Sequence, residues 1–129
     1  MAVAALFKND SKNATQGLVY YDGSFQIGAA GAVVAGSIKG GRIASAARTG
    51  TGTYLVTLRD GGFPECINKF ASIETAGTGA WAGEGAVTLG SGTAGATFTI
   101  YTYNAAGTAT DLTTGIVSFE IGMHLSLVK

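Results

Sequence analysis

Proline, cysteine and histidine each occur once in this chain of 129 residues, as Pro64, Cys66 and His124. A lone cysteine closes no intrachain disulfide, so a cysteine-stapled secreted scaffold is excluded and folding must rest on a hydrophobic core. With one histidine, any histidine-based metal site or Ser-His type triad would have to be built on His124. Charge is scarce as well, at 12% of residues against about 25% in an ordinary soluble domain. Eight basic and eight acidic side chains cancel. Lys39, Arg42, Arg48 and Arg59 stand among apolar residues rather than in a cluster, so the field that draws nucleic acid is missing and no such partner is expected. No apolar run approaches the length of a membrane span. The opening "MAVAALF" has no basic residues before it and passes quickly into "KNDSKN", so neither a signal peptide nor a membrane partner is expected. The sequon at Asn13 to Thr15 would matter only on a eukaryotic secretory route.

Glycine, by contrast, supplies 21 residues, and apolar residues alternate with polar ones. In "GIVSFEIGMHLSLV", Val117, Phe119, Ile121, Met123, Leu125 and Leu127 alternate with Ser118, Glu120, Gly122, His124 and Ser126. A period of two places those six on one face of a strand and would scatter them around a helix. Tyr54, Val56 and Leu58 alternate with Thr53, Thr57 and Arg59, with Leu55 as the exception. "ATFTIYTYN" sets Phe98 and Ile100 opposite Tyr101 and Tyr103. Weaker strands are expected at 17–21, 24–28, 31–38, 42–48, 66–75 and 84–89, each bounded by Gly, Asn, Asp or Ser. No stretch combines helical spacing with credible caps.

The expected fold is therefore all-β and antiparallel: a single-domain sandwich, jelly-roll-like or barrel-like, over residues 17–129. Residues 1–16 lack strand alternation and read as an N-terminal arm or peripheral strand. Val3, Leu6 and Phe7 form an apolar tip there, on a polar tether, and are the candidate assembly contacts. Glycine-rich 77–95 contains Trp81 and "AVTL", which favours tight turns between short strands over a disordered linker.

Residues that could carry chemistry are few. "GSGTAG", Gly90 to Gly95, matches a dinucleotide fingerprint, but that motif needs a helix N-terminus after its last glycine to meet the pyrophosphate. Here β-branched and aromatic residues follow, so a hairpin turn is expected. His124 has Glu120 on its own strand face about 13 Å away, too far for a direct pair. Cys66 has no activating neighbour in "FPECINKF" and reads as a small buried apolar residue. Glu65, Glu74, Glu84 and Glu120 could supply a glycosidase carboxylate pair only if the fold brought two together. Tyr20, Tyr21, Trp81, Tyr101 and Tyr103 could stack on sugar rings, or fill the core or a subunit contact. No catalytic residue, cofactor or metal site is expected.

At "AARTGTGTYLVTLRDGGFPE", residues 46–65, the chain resembles small all-β virion proteins of tailed bacteriophages, the head decoration, cement or fibre modules. Arg48, Thr49, Gly50, Gly52, Tyr54, Val56, Thr57 and Leu58, then a turn and Pro64, carry the resemblance. The closing alternating strand extends it over roughly 42–129, and the glycine-rich segment 77–95 departs from the pattern. The resemblance implies a non-enzymatic capsid decoration protein, made in the host cytoplasm and carried on the outer surface of the virion. Its implied partners are the major capsid protein and itself, as a homo-oligomer with a trimer favoured and a dimer the alternative. Several weak contacts at high effective concentration would then clamp the shell. The alternative implied role is a carbohydrate-binding or host-adhesion module of a phage fibre.

Overall fold

The computed structural model describes residues 17–75 and 79–125. Seven strands follow in order: β1 (Leu18–Ile27), β2 (Ile43–Gly50), β3 (Thr53–Leu58), β4 (Glu65–Glu74), β5 (Trp81–Thr88), β6 (Thr97–Tyr103) and β7 (Gly115–His124), with one 3-10 turn at Ala29–Gly31. They form two antiparallel sheets, a three-stranded one in the order β1-β7-β4 and a four-stranded one in the order β2-β3-β6-β5. The sheets pack face to face as a β-sandwich and do not close into a barrel. β2–β3 and β5–β6 are hairpins, and the other connections pass from one sheet to the other. No helix among the described residues is long and apolar enough to cross a membrane.

The alternation read from sequence builds the core. Tyr54, Val56 and Leu58 from β3, Phe98 and Ile100 from β6, and Val117, Phe119, Ile121 and Met123 from β7 are all buried. They meet Phe25 and Ile27 of β1 in one continuous cluster. Phe119 is its hub, with ring centroids 6.4 Å from both Phe25 on its own sheet and Phe98 on the facing one. Leu55, the exception to the β3 alternation, takes its place on the outer face, paired with Ala47 and Thr99.

Four expectations are corrected. The separate strands at 17–21 and 24–28 are one strand, because Gly23 does not turn the chain. A Cβ there would stand 2.4 Å from the Lys39 carbonyl oxygen, so glycine serves the close approach of the 31–40 segment. That segment is no strand at 31–38: Ala30, Gly31 and Gly36 adopt positive φ, and isolated bridges at Val33 and Lys39 hold it against β1. β5 begins earlier than 84, since Trp81 already pairs with Tyr103. Leu125 is no core residue. β7 ends at His124, and Leu125 lies past the last paired row, 41% exposed, its amide donating to the Gly17 carbonyl. Leu127, expected on the same face, lies outside the described residues, as do Val3, Leu6 and Phe7.

"GSGTAG" is the β5–β6 connection. Ser91 receives the Thr93 and Ala94 amides on its side chain, and its own amide donates to the Ala94 carbonyl. The chain then continues as β6, so no helix N-terminus faces a phosphate there. Gly95 is required for a different reason: a Cβ would lie 2.0 Å from the Leu58 carbonyl oxygen.

Candidate interaction surface

Because β7 pairs with β1 on one side and β4 on the other, alternate residues of three distant segments share the outer face of the three-stranded sheet. The register sets them in rows: Leu18, His124 and Glu65; Tyr20, Gly122 and Asn68; Asp22, Glu120 and Phe70; Ser24, Ser118 and Ser72; Gln26, Ile116 and Glu74. A bulge between Cys66 and Asn68 adds Ile67 beside the second row. Neither lysine nor arginine occupies any of these positions.

The face is unusually apolar for one left to water. Phe70 is 53% exposed, Tyr20 50%, Ile67 39% and Leu18 37%. Gly122 makes their arrangement possible. A Cβ on it would approach Tyr20 Cε1 to 2.8 Å and Ile67 Cγ1 to 3.3 Å, so the missing side chain lets the Tyr20 ring lie across β7. Contiguous exposed apolar groups rimmed by polar ones mark surfaces that meet another molecule.

Its charge is one-sided. Asp22 and Glu120 stand directly opposite on adjacent strands, an arrangement that costs stability when nothing neutralises it. Glu65 Oε1 accepts a hydrogen bond from His124 Nδ1 at 2.6 Å. This is the histidine's partner that sequence reasoning missed: Glu120 on the same strand was too distant, and Glu65 arrives only through β4–β7 pairing.

Other charged groups are committed to holding the fold together. Arg42 grips Asp60 through Nε at 3.1 Å and a terminal nitrogen at 2.5 Å, while the Tyr21 hydroxyl donates to the same carboxylate at 2.7 Å. Arg48 binds Asp111 in the same two-pronged way, at 2.9 and 2.6 Å, and the Gly52 amide adds a third donor at 2.8 Å. At the other side of the sandwich, Glu84 of β5 accepts the Ala71 amide of β4 at 3.0 Å and Lys69 donates to the Gly85 carbonyl, so side chains tie the two sheet edges.

These bonds move the titrations in defined directions. The Arg42 guanidinium, then the Tyr21 hydroxyl, hold the Asp60 carboxyl below its usual range. Arg48, then the Gly52 amide, do the same for Asp111. Burial first, and the Asp60 bond second, push the Tyr21 phenol up. For a carboxyl depressed in the folded state, the stabilisation is complete above its unfolded pKa, about 4, and is lost as pH falls through the folded value. Thermal melts from about pH 5 toward pH 2 should therefore show a falling midpoint, and Asp60→Asn with Asp111→Asn should flatten that fall. An unchanged slope in the double variant would remove these two carboxyls from the account.

The remaining sequence candidates do not converge on a reaction centre. Glu84 points between the sheet edges. Glu65 and Glu120 lie about 13 Å apart along the strands by their register, beyond the separation of a glycosidase pair. Cys66 is half-buried against the core, its thiol donating to the Asn68 carbonyl. No cluster of three or more His, Cys, Asp or Glu fit to hold a metal occurs among the described residues.

Of the aromatics, Tyr21 is buried, and Tyr20 lies on the face just described. Trp81, Tyr101 and Tyr103 gather on the outer face of the four-stranded sheet. The Trp81 and Tyr103 rings are stacked at 4.2 Å, with Tyr101 6.3 Å from Tyr103. Gly83 and Gly85 leave room for these tyrosines, whose ring edges would meet a Cβ at 3.1 and 2.6 Å.

Only the strand-paired structure brings Tyr20, Ile67, Phe70, Asp22 and Glu120 together. The single signal available beforehand was that polar-looking 66–75 carries Ile67 and Phe70 without a core to enter. No protein-family model matches the chain, and neither a curated protein nor a solved structure matches it.

Proposed function

We propose that the protein is a virion structural protein, a capsid decoration or cement protein that bridges capsid subunits on the outer surface of the head. The observation that carries this reading is the outer face of the three-stranded sheet. It leaves Tyr20, Ile67 and Phe70 exposed and sets Asp22 against Glu120 without a cation in the grid, which suits a surface completed by association. The resemblance of residues 46–65 to phage virion modules supplies the setting. In this reading the protein acts as a homo-oligomer, a trimer by preference, and the repeated weak contacts of one oligomer add their strength on the shell. The chemistry is binding, with no catalytic step.

Purified particles provide the test. The protein should co-purify with heads in a copy number set by capsid symmetry, and its removal should lower the temperature at which heads release their contents. A handful of copies at a tail or fibre tip would overturn the decoration reading.

A second reading, a carbohydrate-binding or adhesion module, draws on the exposed Trp81–Tyr103–Tyr101 cluster. Sugar rings stack on free aromatic faces, and mutual stacking of Trp81 and Tyr103 already uses one face of each ring, which is why this reading ranks second. Trp81 is the sole tryptophan, so its fluorescence reports directly on any glycan bound there.

A further inference from the structure

The described residues carry seven acidic side chains against five basic ones, whereas the whole chain is neutral. Three cations and one acid lie outside them: Lys8 and Lys12, with Asp10 between them, in the N-terminal segment, and Lys129 at the other end. That segment also holds Val3, Leu6 and Phe7, so it joins apolar groups that match the exposed apolar patch to the cations that the outer face of the β1-β7-β4 sheet lacks. The segment is joined to the sheet at one end of this face. Gly17 enters the sheet at the Leu18 end, bonded to Leu125, at the border of the Tyr20–Ile67–Phe70 patch. Residues 8–16 can span up to about 30 Å when extended, and the face from Leu18 to Gln26 is about 27 Å long.

Resting on the assembly reading above, we infer that this face receives residues 3–12 of a neighbouring copy. Val3, Leu6 and Phe7 cover Tyr20, Ile67 and Phe70, and Lys8 and Lys12 meet Asp22 and Glu120. The exchange gives the opposed carboxylates a role: the like charges become a docking site for cations once the arm arrives.

A peptide of residues 2–14 titrated into the protein lacking residues 2–12 tests the docking directly, followed by calorimetry and by amide shifts. Saturable binding is expected, with the shifts concentrated on β1, β4 and β7. Phe70→Ser should weaken it by about tenfold or more, the loss typical of one aromatic anchor. High salt, or Lys8→Glu with Lys12→Glu in the peptide, should weaken it as well. Glu120→Lys provides an independent variant should Phe70→Ser not fold. Absence of binding, or binding indifferent to both variants, would overturn the inference. In the full chain, a photo-crosslinker at position 7 should join differently labelled copies, and exclusively intramolecular crosslinks would overturn the neighbouring-copy arrangement. The two readings fail separately. Oligomers that persist after deletion of residues 2–12 would sink the arm exchange while leaving assembly intact, whereas a full chain that stays monomeric and ignores capsids would sink the assembly reading itself.

Discussion

Met123→Asp should be the most damaging single change in β7, with a loss of about 4 kcal/mol or more. Met123 is completely buried in the last inward-facing position of β7. A carboxylate there loses its hydration, and among the described residues no buried side-chain atom is left wanting a partner that it could serve. The group must either stay ionised at high cost or take up a proton, and both routes draw on a total stability of only about 5–15 kcal/mol for a domain of this kind. Leu125→Asp, two residues on in the same alternation, should cost only about 1 kcal/mol because Leu125 already meets water. Chemical denaturation of both variants checks the pair. Equal losses would mean that the inward face continues beyond His124.

Phe119→Ala is expected to remove about 3–5 kcal/mol. Its ring lies between Phe25 of its own sheet and Phe98 of the other, so truncation opens a cavity at the contact between sheets rather than within one. Closing such a cavity would require both sheets to move together, which the side-chain ties between Glu84 and Ala71 and between Tyr21 and Asp60 oppose. The cost therefore belongs in the upper part of the range for aromatic-to-alanine changes. A midpoint shift of only a few degrees on heating, equivalent to about 1 kcal/mol, would show that the sandwich collapses around the gap and that Phe119 is not the hub.

Neither change touches the outer face of the three-stranded sheet, so core and surface can be tested independently. Phe70→Ser should leave the melting midpoint nearly unchanged, because Phe70 is more than half exposed and substitutions at exposed positions rarely exceed about 0.5 kcal/mol, and Glu120→Lys should hold or slightly raise it by setting a cation opposite Asp22.

By itself, the amino-acid sequence determined that this protein is built from strands, which residues of β3, β6 and β7 point inward, and that Gly90 to Gly95 makes a turn. Those properties are local: side-chain alternation has a period of two whatever the partner strand, and a β-branched, aromatic run after a glycine turn continues as a strand wherever it packs. The sequence could not show where an alternating strand stops serving the core, as Leu125 demonstrates, since that depends on the last paired row and not on the pattern. Nor could it separate a glycine that turns the chain from one that admits another segment: Gly23 and Gly95 are both read as turn residues until the Lys39 and Leu58 carbonyls are seen against them. Pairing across long separations was decided only in three dimensions. Register brought Glu65 to His124, and Tyr20, Ile67 and Phe70 onto one acidic face, while the β6–β7 connection carried Asp111 to Arg48. Such meetings depend on which strand edges find each other, a choice made by the summed packing of both sheets and carried by no single stretch of chain.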